Sequence, residues 1–89
     1  MKIVQNRFSE LLARKERKEG RSISRRQVAH ETGIGLSSVQ GWAANTVTRY
    51  DALQIAVFCE YLNCSVGDLL IIEESPAEGQ RKTLLALPA

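Results

Sequence analysis

A chain of 89 residues with a net charge of +2 makes one domain at most and leaves little room for a catalytic cleft. Its composition, 44% hydrophobic and 25% charged, is that of a folded globular protein and excludes a disordered chain. No apolar run is long enough to span a bilayer and the start MKIVQNRFSE lacks the sustained apolar core of a secretory signal, so a cytoplasmic protein without membrane contact is expected.

In chain order, residues 4–17 set Val4, Phe8, Leu11, Leu12 and Lys15 at helical spacing, which predicts a first helix whose apolar stripe ends in charge. Residues 18–23 read as a polar loop around Gly20. Ser24 is a good N-cap for a second helix with Val28 and Ala29 on its apolar side, and Gly33 stands where a chain leaving that helix needs positive φ. Ile34 can tuck into the core. A third helix then opens at Gly35 or Leu36, with Val39 and Trp42 three apart on one face and Trp42 expected as a buried anchor. Its other face carries Leu36, Ser37, Gln40 and Gly41, small or amide-bearing residues suited to close approach and to hydrogen bonding at base edges. Two short helices around a glycine turn over residues 24–43 form a helix-turn-helix pattern.

Residues 43–48 read as a polar loop without periodicity. Residues 50–62 predict a fourth helix with the inward stripe Leu53, Ala56, Val57 and Tyr61, closed by Asn63 in a left-handed cap. Ser65 and Asp68 resemble a capping box at the start of a short fifth helix containing Val66, Leu69 and Leu70. Residues 73–89, with Pro76, Gly79 and Pro88, predict a partly flexible tail in which only residues 83–87 are apolar enough to dock or to pair as a strand. The expected fold is therefore all-α: a compact five-helix domain over residues 1–72, followed by a C-terminal tail over residues 73–89.

The small net charge hides an asymmetry. Residues 1–50 carry ten Lys and Arg against four Glu, whereas residues 51–89 carry two against six acidic residues. Basic density peaks at Arg14, Lys15, Arg17, Lys18, Arg21, Arg25 and Arg26, running into the helix ahead of the proposed reading helix, where a nucleic-acid backbone would be drawn. Catalytic chemistry has no comparable support. His30 has no acidic or nucleophilic partner at a suitable spacing and reads as an exposed helix residue. Cys59 and Cys64 do not form a four-ligand cluster with it and read as buried thiols, with a disulfide as the alternative. Neither an enzyme nor a metal or cofactor site is expected.

Four stretches carry a family resemblance: N-R-F-x-E-L-L over residues 6–12, V-A-x-x-T-G-I over 28–34, S-S-V-Q-x-W over 37–42, and L-x-I-A-x-x-x-x-Y-L-N-x-S-V-x-D-L-L over 53–70. In this order the chain resembles the phage-repressor and Cro type of helix-turn-helix protein, also called XRE-like, over roughly residues 3–72. The resemblance implies the five-helix lambda-repressor-like fold, sequence-specific binding of double-stranded DNA by a homodimer on a two-fold symmetric operator, and control of transcription, commonly repression. The chain departs from the pattern at three places. Arg25 stands where the family commonly has glutamine bracing a phosphate and a recognition side chain. Leu12 and Ala43 stand where an arginine–glutamate pair is frequent, and Thr32 stands where an apolar residue is usual. Loss of both members of an ion pair leaves no uncompensated charge, and the Thr32 hydroxyl can return to a carbonyl one turn earlier.

In the docking mode the resemblance implies, the exposed N-terminal residues of the reading helix reach base edges. Ser37 and Gln40 are the first choices, Gln40 for a bidentate contact to adenine, with Leu36 against a thymine methyl and Gly41 allowing close backbone approach. Arg25, Arg26, Gln27, Ser38, Asn45, Thr46, Thr48 and Arg49 are the expected phosphate contacts. The expected dimer interface is the face of helices four and five with Phe58 and Ile71 or Ile72. The competing reading is an antitoxin or a protein-interaction module that uses the same fold, with a protein partner engaged through the tail. The basic first half favours DNA.

Overall fold

A computed structural model of the chain describes residues 1–74. Seven elements follow in order: β1 Lys2–Asn6, α1 Phe8–Glu19, α2 Arg25–Thr32, α3 Leu36–Ala44, α4 Ala52–Leu62, α5 Val66–Leu69 and β2 Leu70–Glu74. Five helices are present among the described residues, as expected, but the domain is not all-α.

The predicted first helix began too early. Residues 2–6 form β1, antiparallel to β2, with Val4 opposite Ile72 and Asn6 opposite Leu70. β-branched Ile3 and Val4 suit an extended chain, and Asn6 then turns it, its side-chain Oδ1 accepting the Phe8 amide at 2.9 Å. Val4 consequently lies on the ribbon and is 50% exposed, outside the core in which its spacing had placed it. At the other end α1 runs on to Glu19 and Gly20 closes it at φ 66°, so the predicted loop gives up Lys18 and Glu19 to the helix. Ile23, placed in that loop, is a core residue, and its amide donates to Glu16 Oε2 at 2.7 Å.

Local signals of the helix-turn-helix match the structure. The Ser24 hydroxyl accepts the Gln27 amide, and Gly33 caps α2 at φ 77°. Thr32 Oγ1 donates to the Val28 carbonyl at 2.7 Å and accepts the Ile34 amide at 3.2 Å, which makes this threonine part of the turn. α3 extends through Ala43 and Ala44, both predicted as loop, before Asn45 ends it in the left-handed region. Asn63 caps α4 in the same conformation, and Ser65 with Asp68 forms the complete capping box of α5.

The core joins Phe8, Leu11 and Leu12 of α1 to Ile23, Val28, Val39, Trp42, Phe58, Leu62 and Leu69. Its centre is aromatic: Phe58 lies 5.0 Å from Phe8 and 4.8 Å from Trp42 between ring centroids, and Tyr50 meets the other side of Trp42 edge-on at 4.9 Å. This packing reverses the expected face of α4. Leu53 is 72% exposed and Ala56 is exposed, with Val57 and Tyr61 only half-buried, while Ile55, Phe58, Cys59 and Leu62 turn inward. The segment ALQIAVFCEYL is apolar nearly all round, so spacing alone gives it no phase. Phe58 is therefore no interface residue, being 0% exposed; of its proposed companions Ile71 is half-buried and Ile72 is exposed.

β2 takes Leu70 out of the predicted fifth helix and continues through Glu73 and Glu74, placed at the head of the tail from sequence. The rest of that tail, including residues 83–87, lies outside the described residues. No helix among the described residues is long and apolar enough to cross a membrane.

Candidate nucleic-acid interface

α3 presents a face set by its burial. Val39 and Trp42 point into the core, which forces Ser37 and Gln40 outward into solvent; Leu36, Ser38 and Gly41 are half-buried along the flanks. Gly35 opens the helix without a side-chain cap. Ser37, Ser38 and Gly41 line a shallow groove of about 290 Å3 with Thr46 and Arg49 of the following loop. The groove thus collects residues predicted for base and for phosphate contact, and adds four that were not predicted for either: Trp42, Val47, Asp51 and Gln54.

Gln54 ties the groove together. Trp42 Nε1 donates to Gln54 Oε1 at 3.2 Å, and Gln54 Nε2 donates to Ser38 Oγ at 3.4 Å, joining the first turn of α4 to the outward flank of α3. Asp51 faces the backbone, accepting the Leu53 amide at 2.8 Å and the Gln54 amide at 3.2 Å as the N-cap of α4. Thr46 turns its hydroxyl back to the Gly41 carbonyl at 3.4 Å. A Cβ on Gly41 would stand 3.5 Å from Val47 Cγ2 and 3.7 Å from Thr46 Oγ1, ordinary contacts that do not themselves demand glycine.

Asn45 has a different position from its predicted neighbours. Its Oδ1 accepts the Asn6 amide and its Nδ2 donates to the Asn6 carbonyl, each at 2.9 Å, so its side chain is turned to β1. Ser9 adds a second brace at this end of α3, donating from Oγ to the Ala43 carbonyl at 3.2 Å. Leu12 and Ala43, the two apolar departures noted in the sequence, line one hollow with Ser24 and Arg25, and no charge is stranded between them.

The basic run divides in space. Arg25, Arg26 and Arg49 are exposed and form no ion pair among the described residues. Lys15 is held by Glu19 at 2.6 Å and lies 4.5 Å over the Tyr61 ring, while Arg21 binds Glu31 through both terminal nitrogens at 3.0 and 3.1 Å. Arg14 donates to the Asn63 carbonyl at 3.4 Å, and with Lys15 and Lys18 it borders a separate groove against the end of α4. Much of the charge expected beside the reading helix is thus neutralised or lies elsewhere. Gln27, also expected at a phosphate, donates to Glu31 Oε2 at 2.6 Å.

Glu31 is the centre of that network. The Arg21 guanidinium, then the Tyr61 hydroxyl and the Gln27 amide, hold its carboxyl well below the usual carboxylate range. Tyr61, partly buried and donating to Glu31 Oε1 at 2.6 Å, is correspondingly pushed up. His30 is exposed. Cys59 and Cys64 are free and half-buried, and burial, then the neighbouring Cys59, pushes the Cys64 thiol up to about 11. Among the described residues no group of three or more His, Cys, Asp or Glu is placed to hold a metal ion.

A model of the Cro/C1-type HTH DNA-binding domain matches residues 7–75. The chain belongs to this family. As a Cro/C1-type domain it is similar in fold to a Bacteroides fragilis protein provisionally described as DNA-binding, at 22% identity and a TM-score of 0.61, over 78% of this chain and 100% of that one. A Listeria innocua transcriptional regulator is similar at 21% identity and a TM-score of 0.51, over 94% of this chain and 78% of that one. No curated protein matches the chain.

Proposed function

We propose that this Cro/C1-type domain is a sequence-specific regulator of transcription, a repressor, that lays α3 in the major groove of double-stranded DNA. The observation that carries the reading is the outward Ser37–Gln40 face of α3, with Arg49 lining the same groove as Ser37 and with Arg25 and Arg26 exposed at the start of α2, none of the three in an ion pair among the described residues. Gln40 would read a base edge, with Ser37 beside it, Leu36 at a thymine methyl and Gly41 admitting the backbone. Arg25, Arg26, Arg49, Ser38, Thr46 and Thr48 would hold phosphates on either side. Gln27 and Asn45 would serve those contacts indirectly, since Glu31 and β1 already engage their side chains.

The chain works by binding and not by catalysis, in the cytoplasm, as a homodimer whose two reading helices meet two half-sites one helical turn apart. The DNA-binding unit ends with β2, and residues 75–89 are left for a protein partner. Selection of bound sequences from a random duplex library, with wild type and Gln40→Ala compared at physiological salt, tests the proposal. A palindromic motif that relaxes at one position in the variant is the expected outcome. Recovery of no motif would replace it with a protein-interaction module and make partner capture the next experiment.

A further inference from the structure

Trp42 is nearly fully buried, and its indole N–H is a donor only, so it requires an acceptor inside the protein. That acceptor is Gln54 Oε1 at 3.2 Å. The requirement removes the usual two-fold ambiguity of a glutamine amide: with the oxygen held toward Trp42, the NH2 group is turned to Ser38. Gln54 Nε2 stands 3.4 Å from Ser38 Oγ and there has only one role, donation. A hydroxyl whose oxygen accepts an inward N–H has its own hydrogen free to point elsewhere. Ser38 is half-buried on the flank of α3, and its outer side is the groove shared with Arg49.

We infer that Gln54 is a positioning residue that orients the Ser38 hydroxyl as an outward donor to a DNA phosphate oxygen. The polarity runs in one direction, from the indole N–H through the amide to the hydroxyl, and its free end is a donor suited to an acceptor-only ligand. An adjacent arginine supplies the charge that brings a phosphate there. This inference rests on the DNA-binding reading and adds to it a residue of α4 that lies outside the helix-turn-helix.

A double-mutant cycle tests it, with binding of a labelled mixed-sequence duplex measured by anisotropy at low salt, where phosphate contacts dominate. Ser38→Ala and Gln54→Ala are each expected to weaken binding by about three- to tenfold, the range of one hydrogen bond, and the double variant to be no weaker than Ser38→Ala alone. Gln54→Ala leaves the indole without an acceptor, so Gln54→Glu is measured beside it. That carboxylate still accepts from Trp42 but cannot donate to Ser38; its effect is expected to shrink in the Ser38→Ala background to the part due to added charge. Far-ultraviolet circular dichroism and a cooperative thermal transition confirm that each variant is folded. Gln54 variants that bind as wild type does, or whose losses add in full to that of Ser38→Ala, would overturn the inference. A wild type that retains no duplex at low salt would instead remove the DNA-binding reading beneath it.

Discussion

Asn45 and Asn6 meet through a complete amide exchange: the side chain of one accepts the backbone N–H and donates to the backbone carbonyl of the other, both at 2.9 Å. The end of α3 is thereby held to the N-terminal strand in the manner of a β-ladder. Asn6 itself is buried, accepts the Phe8 amide and donates to the Tyr50 hydroxyl at 3.4 Å, so one pair couples β1, α1, α3 and the loop before α4.

Replacing Asn45 separates its two roles. Asn45→Gly keeps the left-handed cap at φ 58° and removes the bonds to Asn6; about 1–3 kcal/mol of stability is expected to be lost in urea unfolding. Asn45→Ala adds the cost of a Cβ in that conformation, about 1–2 kcal/mol more. Equal stability of the two variants would show that the cap geometry contributes nothing.

Gly41→Ala is expected to move stability and binding in opposite directions. The added methyl meets only ordinary contacts from Val47 and Thr46, and alanine gains up to about 1 kcal/mol of helix propensity over glycine. Thermal unfolding should therefore shift upward while affinity for the selected operator falls. Unchanged affinity would show that bare backbone at Gly41 is not needed by DNA.

The phase of α4 predicts a contrast between two large apolar residues five apart. Phe58→Ala should cost about 3–5 kcal/mol, because it empties the site between Phe8 and Trp42. Leu53→Ala, at an exposed position, should change stability by no more than about 0.5 kcal/mol. Chemical denaturation of both variants decides it.

Acid sensitivity should be centred on Glu31. Its folded-state pKa lies below the unfolded value, so the stabilisation is complete above the usual glutamate range near 4.3 and is lost as pH falls from there toward the folded pKa. Melting temperature should decline below about pH 4, and Glu31→Gln should flatten that decline relative to wild type. An identical acid profile in the variant would place the sensitivity in other carboxylates, such as Glu19 or Asp68, which are also lowered.

Arginine and glutamine variants should differ in the kind of loss. Arg25→Ala and Arg26→Ala are expected to weaken binding to all duplexes alike and to reduce the slope of log affinity against log salt by about 1 each. Gln40→Ala should leave the slope intact and relax preference at one base pair by about 1–3 kcal/mol. A sequence-specific loss in the arginine variants would move them from the backbone to the bases.

The features legible in the sequence were those decided within a few residues. Ser24, Gly33, Asn63 and the Ser65–Asp68 box each close a helix end through partners no more than four positions away, so residue type and spacing determined them. The Val39–Trp42 pair determined which face of α3 is buried, and with it which residues are free to meet a ligand. Tertiary structure alone decided the rest. β1 exists because a strand about seventy residues away pairs with it, and a short β-branched stretch cannot announce its partner. The uniformly apolar α4 took its phase from the aromatic cluster around Phe58. Which basic residues remain available was decided by where Glu19 and Glu31 fell, and Gln54 reached Ser38 and Trp42 only because α4 packs its first turn beside α3, a contact between helices that no local spacing encodes.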